Sequence, residues 1–264
     1  DECYEVNASI LSANGSVRDN LEKVKIKKVN LNEKYLFKKN KTFLVKLNES
    51  LNLDKNIFGS CNPKSSTGRL DIFCRTILDN SDEYEKVPLN YKGEMFIEIT
   101  SQSFDVELQK GDSLNQLRLV NKNHLYLKDN ELKKIHSKDF LTLDKNNKKI
   151  NPKIDNGLKI SVDLSRENLI NAYVAKKNTP ILNFQKIRTH KIQDFWDLLS
   201  SNDNKIIIEK DNFYILKSKE KIQIPKNMAG EMIPYDTSLG DFRVHYAGFF
   251  DPGFGVTYGS YAVL

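Results

Sequence analysis

Apolar residues in the first half of the chain recur in short runs with a period of two, bounded by Asn, Asp and Lys. Lys23–Val29, Thr42–Leu47, Leu51–Leu53, Leu70–Ile77 and Phe104–Leu108 all read as strands, as does a run ending at Val120. In Glu94–Thr100 the alternation of Met95, Ile97 and Ile99 predicts a half-buried strand. No stretch before residue 125 carries a helical period, so the first half reads as all-β. Lys128–Leu141 predicts a short helix, with Asp129 as N-cap and Leu132, Ile135 and Phe140 on its apolar side. Beyond it, Leu158–Val162 and Ile181–Phe184 read as strands. Asp194–Ser200 reads as a helical turn, whose Trp196 belongs in the core beside Phe195, Leu198 and Leu199. The charged run Lys145–Lys153 is the natural connector, giving domains 1–150 and 151–264.

Residues 205–226 repeat an earlier pattern. With Glu220 set on Glu49, an offset of 171, Tyr214-Ile215-Leu216-Lys217 falls on Phe43-Leu44-Val45-Lys46. In the same register Ile222 meets Leu51, Ile224 meets Leu53, Gly230 meets Gly59 and Pro234 meets Pro63. Register held over some twenty residues marks a tandem duplication of one β domain.

Composition narrows the function classes. The chain has 264 residues, 39% of them hydrophobic, enough for a packed core. No apolar stretch approaches the ~20 residues of a membrane-spanning helix. A net charge of +6 invites a nucleic-acid partner, but the 41 basic residues are scattered among 35 acidic ones, which argues against a dedicated surface. Cys3, Cys61 and Cys74 are odd in number, widely spaced and free of any C-x-x-C pair. That suits a reducing cytoplasm and gives no zinc-site spacing.

The densest chemistry lies in Asn62-Pro-Lys-Ser-Ser-Thr-Gly-Arg-Leu70. Pro63 holds the residue before it extended, and Gly68 allows a close turn. Lys64, Arg69 and the hydroxyls of Ser65 and Ser66 suit an anion with several oxygens, such as a polyphosphate. The second copy has Tyr235-Asp236-Thr237 at the corresponding place, where a carboxylate would repel phosphate. It carries instead His245-Tyr-Ala-Gly-Phe-Phe-Asp-Pro-Gly-Phe-Gly255, whose Asp251 has no counterpart in the first copy. Read alone, Asp251 in Asp-Pro-Gly is a turn former. Two half-sets that differ in opposite senses predict one composite site, between the copies or between chains.

These motifs resemble those of the dCTP deaminase and trimeric dUTPase superfamily. Lys64-Ser-Ser-Thr-Gly-Arg-Leu70 resembles the Arg-Ser-Ser-x-x-Arg-Leu loop of dCTP deaminases. Gly111-Asp-Ser-Leu-Asn-Gln-Leu117 resembles the Gly-Asp-Arg-x-x-Gln-Leu motif of dUTPases, and Tyr91-Lys-Gly-Glu94 their Tyr-Arg-Gly-Glu turn. Ala247-x-x-x-Asp251-Pro-Gly-Phe-Gly255 resembles the deaminase Ala-x-x-x-Asp-Pro-Gly-Trp-x-Gly motif, with its last Gly one residue early. The whole pattern is similar to the long, duplicated bacterial 2′-deoxycytidine 5′-triphosphate deaminases.

The resemblance implies a distorted jelly-roll (β-clip type) fold in two copies, few helices, and a cytoplasmic homo-oligomer. It implies metal-independent deamination of dCTP to dUTP and ammonia, with Mg²⁺ only on the triphosphate and no nucleic-acid or membrane partner. Ser65 and Arg69 then match catalytic positions, and Lys64 and Ser66 match triphosphate contacts. The backbone of Ala247 matches the group that reads the pyrimidine, and Asp251 the group that holds the sugar; Phe254 is the motif's aromatic and Gln116 a weaker substrate contact. The family's general base is a glutamate in Val-Leu-Glu, which here would follow Val263-Leu264, so the chain reads as an internal fragment. Alternatives are a dUTP diphosphatase, a bifunctional deaminase and diphosphatase, and a non-catalytic nucleotide-binding homologue.

Overall fold

The computed structural model describes residues 2–11, 15–124, 126–233 and 248–264. The first half runs β1 (Cys3–Val6), α1 (Val17–Val24), β2 (Lys25–Lys28), β3 (Tyr35–Phe37), β4 (Thr42–Asn52), β5 (Ile57–Pro63), α2 (Ser65–Gly68), β6 (Ile72–Ile77), β7 (Lys86–Val87), β8 (Lys92–Ser101), β9 (Val106–Leu108) and β10 (Asn115–Asn121). The second runs α3 (Asp129–Asp139), β11 (Thr142–Leu143), β12 (Lys153–Ile154), β13 (Leu158–Lys159), β14 (Ala172–Ala175), β15 (Leu182–Asn183), α4 (Ile192–Phe195), β16 (Trp196–Leu199), β17 (Tyr214–Ile222), β18 (Gly230–Glu231), β19 (Phe249–Phe250) and β20 (Ser260–Val263). The described residues are mostly β, with short helices. They form two compact units, Asp1–His124 with Lys176–Phe195, and Leu125–Ala175 with Trp196–Leu264. The charged stretch 145–153 lies inside the second unit, where Lys149 bridges Leu143 and β12 pairs with β13.

In the first unit, β2-β1-β4-β8-β6 form an antiparallel sheet, and β10-β5-β7 a second. A third joins β3 and β9 to β15, which arrives from the later part of the chain and pairs with β9 in parallel. One core lies between Leu53, Cys61, Leu78, Val87 and Met95. Another gathers Val6, Ile10, Val17, Leu21, Leu44, Ile77 and Phe96.

That second core corrects two expectations. Strand β8 is buried at every residue from Met95 to Ile99, because Ile10 and helix α1 cover the face that alternation leaves to solvent. Helix α1 itself falls where no helix is expected and takes the first two residues of the run Lys23–Val29, whose Lys25–Lys28 is strand β2 as expected. It spans barely two turns: the Ser16 hydroxyl accepts the Asp19 N–H (3.1 Å), and Val17 and Leu21, four apart, are buried. The alternating Val24-Lys-Ile-Lys-Lys-Val29 that follows outweighs so short a periodic signal.

In the second unit β17 is central, pairing with β11, β14 and β20, while β16 flanks β14. It starts from the repeat register: β17 lies 171 residues after the matching part of β4. The irregularities coincide as well. Strand β4 breaks register with β8 between Lys46 and Ser50, and β17 breaks register with β20 between Lys217 and Lys221. Each pair of limits differs by the same 171 residues.

Helix α3 lies where expected, with a different cap. The Glu131 carboxylate accepts the Lys128 N–H (2.8 Å), while Asp129 accepts the N–H groups of Asn156 (3.0 Å) and Gly157 (2.9 Å). None of its residues is fully buried. The expected turn at Asp194–Ser200 is displaced, since helical residues end at Phe195 and Trp196–Leu199 is strand. Phe195 is the buried member; Trp196 is half-buried against Phe213 (centroids 6.0 Å apart), and Leu198 is exposed.

Candidate functional site

The loop Pro63–Leu70 is built as a strand ending in one helical turn. Strand β5 pairs with β10 to its last residue, Pro63 opposite Asn115, and the Lys64 N–H donates to the Leu114 carbonyl (2.9 Å). Lys64 is still extended (φ −62°, ψ 147°); Ser65–Gly68 then turn, with Gly68 N–H on the Lys64 carbonyl (3.0 Å) and Arg69 N–H on that of Ser65 (3.1 Å). Gly68 is part of this helical turn, and the residue with left-handed backbone is Asp71 (φ 56°). The Asp71 carboxylate accepts the Ser103 hydroxyl and anchors the exit from the loop.

This geometry places four expected residues together. Ser65, Ser66 and Arg69 are exposed and Lys64 is half-buried. The Arg69 guanidinium folds back over the turn, with Nε on the Ser65 carbonyl (3.1 Å) and Nη2 on its Oγ (3.3 Å). A fixed guanidinium beside a hydroxyl is a set of donors that can hold a water or an anionic oxygen. Beneath them, Thr67 Oγ1 and Asn62 Oδ1 are buried and make no hydrogen bond.

Gln116 joins this group from β10. It lies opposite Asn62 in the ladder, and its Nε2 donates to the Pro63 carbonyl (3.5 Å). The turn before it uses Gly111 at φ 95°, and the Asp112 carboxylate accepts the Gln109 N–H and the Gln185 amide. Burial pushes Asp112 above the usual carboxylate range. A cavity of about 390 Å³ in this unit is lined by Asn115 and Gln116 together with Cys61, Thr76, Met95 and Ile97.

The second set of expected residues lies in the second unit. Asp251 is exposed on the turn after β19, with the Phe254 N–H on its carbonyl (2.9 Å), and Phe254 packs on Phe250 (4.9 Å). Gly253 (φ 84°) donates to the Ile224 carbonyl, and the Phe254 carbonyl accepts the Ile224 N–H (2.8 Å). Gly255 has φ 65°, and a Cβ there would collide with the Ile222 carbonyl oxygen. The glycine that comes one residue early in the motif is thus fixed by a close backbone approach. Ala247, His245 and Tyr235-Asp236-Thr237 lie outside the described residues.

Two carboxylates of the first unit whose surroundings raise their pKa escaped the sequence reading. In the register of β8 with β4 and β20 with β17, Glu94 matches Tyr261 and Phe96 matches Val263. Glu98 lies two residues beyond Phe96 on the same strand. It is 7% exposed and accepts both the Ser9 hydroxyl (2.8 and 3.1 Å) and the Ile10 N–H (2.7 Å). Burial raises its pKa, and its oxygens are occupied by the protein's own donors. Glu85 is the other, held by Thr76 and Asn115 and pushed by burial up to about 7. It is half-buried, in the polar run Ser81–Lys86.

Among the described residues no three His, Cys, Asp or Glu side chains gather as a metal site. Cys3, Cys61 and Cys74 are buried free thiols, the first two pushed by burial up to about 12. Nor is any described helix long and apolar enough to cross a membrane.

Residues 1–123 match the family model for the N-terminal domain of 2′-deoxycytidine 5′-triphosphate deaminase, and residues 128–264 match that for its C-terminal domain. The chain belongs to the dCTP deaminase family. A similar solved structure is the crystal structure of 2′-deoxycytidine 5′-triphosphate deaminase from Agrobacterium tumefaciens. It is 37% identical with a TM-score of 0.92, and the match covers 100% of this chain and 77% of that one. No curated protein matches this chain. Within this dCTP deaminase family member, the N-terminal model holds Lys64, Ser65, Ser66, Arg69 and Gln116, and the C-terminal model holds Asp251 and Phe254.

Proposed function

We propose that this chain carries out hydrolytic deamination of dCTP to dUTP and ammonia. Water adds at C4 of the cytosine ring and the amino group leaves as ammonia. Family membership supports the reaction; the observation that carries the residue roles is the Ser65–Arg69 contact, a guanidinium held on a hydroxyl in an exposed turn. Arg69 keeps its charge at any relevant pH, so it stabilises negative charge and orients water and cannot act as the base. The base is a carboxylate; Glu98 of the first unit is not assigned that role, because its oxygens accept the Ser9 hydroxyl and the Ile10 N–H. Lys64 and Ser66 bind the triphosphate, Asp251 the sugar hydroxyl, the Ala247 backbone the pyrimidine edge, and Phe254 packs beside it. Mg²⁺ enters as part of the substrate, held by phosphate oxygens and water. No metal takes part in the deamination step.

We read the two β units as copies of one distorted jelly-roll, a reading supported by the shared 171-residue offset of strand and bulge. Their complementary residues support a single composite site that draws on both sets, in one chain or between chains of a homo-oligomer. Ammonia release from dCTP by mixed Arg69→Ala and Asp251→Ala proteins tests this. Recovered activity places the two sets in different chains, and mixtures that stay inactive place them in one. Deamination that survives both substitutions in one polypeptide overturns the assignment. Gln116 beside Pro63 favours one second reading, in which the same turn also supports release of pyrophosphate from dUTP; a pyrophosphate assay separates the two.

A further inference from the structure

We propose that Glu85 is a positioning residue for the Lys64–Arg69 turn, acting through the Asn115 side chain on the strand pair that carries the turn. The activity part of the test rests on the deaminase reading; the structural part does not. Glu85 is stapled in place despite an unfavourable backbone (φ 65°): its N–H donates to the Thr76 carbonyl (3.1 Å) and its carbonyl accepts the Cys61 N–H (2.7 Å). The two carboxylate oxygens then take different partners. Oε1 accepts the Thr76 N–H (3.1 Å) and Oε2 accepts Asn115 Nδ2 (3.3 Å). Asn115 Nδ2 also donates to Thr76 Oγ1 (2.8 Å), and its Oδ1 accepts the Gln116 N–H (2.8 Å).

Asn115 is the residue opposite Pro63, and its neighbour Leu114 receives the Lys64 N–H. A path therefore runs from Glu85 by a hydrogen bond to Asn115, along the chain to Leu114, and by a second hydrogen bond to the first residue of the turn. A carboxylate can accept at both oxygens at once. A neutral carboxylic acid carries its proton on one of them; the Thr76 N–H and the Asn115 NH₂ cannot accept it, and the acceptor beside them is the Thr76 hydroxyl, which already takes Asn115 Nδ2. Gaining a proton removes the charge that strengthens both links and sets the acid in competition with Asn115 Nδ2 for the Thr76 hydroxyl.

The groups that face Glu85 fix where this happens. Arg75 on β6 favours the charged form, while the thiols of Cys61 on β5 and Cys74 on β6 are held neutral by burial. Burial outweighs Arg75 and the hydrogen bonds, so the change falls near neutrality.

The decisive comparison is wild type against Glu85→Gln between pH 6 and pH 8. Gln keeps one acceptor oxygen but cannot supply two, whatever the pH. Corrected for intrinsic exchange, protection of the Lys64 amide in wild type should rise about tenfold across this range, and in E85Q it should stay flat. KM for dCTP should follow, with kcat moving little. Because the substrate's own phosphate also titrates here, the quantity read is the E85Q to wild-type KM ratio, rising about tenfold with pH. Asn115→Ala leaves Glu85 intact and breaks the path, so it should reproduce the loss and serves if E85Q fails to fold. Lys64 protection and a KM ratio that do not change with pH would overturn the proposal. Wild-type protein that releases no ammonia would defeat the deaminase reading alone, leaving the exchange comparison to decide the role of Glu85.

Discussion

Replacing Glu85 by Gln should stabilise the first unit above neutral pH while loosening the turn. The carboxyl is displaced from 4.5 to about 7, with burial as the largest cause. Between those two values the folded state holds a proton that the unfolded state has released. Stability therefore falls as pH rises through this window and levels off above about 7. At 1.36 kcal/mol per pKa unit, ionising Glu85 costs the fold about 3 kcal/mol. Gln carries no charge to bury, so the advantage of E85Q over wild type should grow by about 3 kcal/mol from pH 4.5 to pH 8. Titration of Glu98 and Asp112, also displaced upward, is common to both proteins and cancels in the difference.

The assay must report on the right unit. Trp196 is the only tryptophan and lies in the second unit, so its fluorescence follows the other half of the molecule. Amide exchange at the paired residues of β6 and β8, such as Cys74 and Ile99, reads the first. A difference independent of pH would refute the burial argument. A wild type that gained on E85Q with rising pH would reverse its sign, making the Thr76 and Asn115 bonds stronger than the desolvation they offset.

Two further outcomes follow from the loops. Lys64→Ala should raise KM for dCTP by tenfold or more, since a lost charge-assisted phosphate contact is worth about 1.5–3 kcal/mol; an unchanged KM in a steady-state ammonia assay removes Lys64 from the site. Gly255→Ala meets both a left-handed backbone and the Ile222 carbonyl, and should cost about 3 kcal/mol of local stability. Exchange at the Ile224 amide should then accelerate while the β5–β10 amides are untouched, and equal exchange at Ile224 would refute the collision.

The strands were legible because their partners impose alternation, and the repeat because β4 and β17 sit at the centre of their sheets. Helix α1 was not, since two buried residues and one cap leave too little periodicity against the alternating run that follows. Its concealment had a consequence for β8, which reads as half-buried only while nothing is known to cover Phe96. The loop Lys64–Arg69 could be read because its chemistry is local, packed into six residues. Glu85 could not, because its partners lie 9 and 30 residues away and meet only when β6, β7 and β10 assemble. Gly255 lies between these cases: a glycine out of step with the motif is visible, but the reason, a carbonyl 33 residues earlier, belongs to the fold.

Glu85 and Glu98 share a unit and an upward displacement, yet their surroundings give them different work. The donors of Glu98 include Ser9 and the Ile10 backbone, in a segment that covers β8. Tyr84 joins the same group through the Ser9 hydroxyl, so the carboxylate fastens that segment over the sheet. Glu85 shares its second oxygen with a side chain that also holds β10, and β10 holds the start of the turn. A fastening can be exchanged for apolar packing of the same shape at little cost in function. A link in a path to substrate cannot, which is why the charge that costs the fold about 3 kcal/mol is expected to tighten the turn.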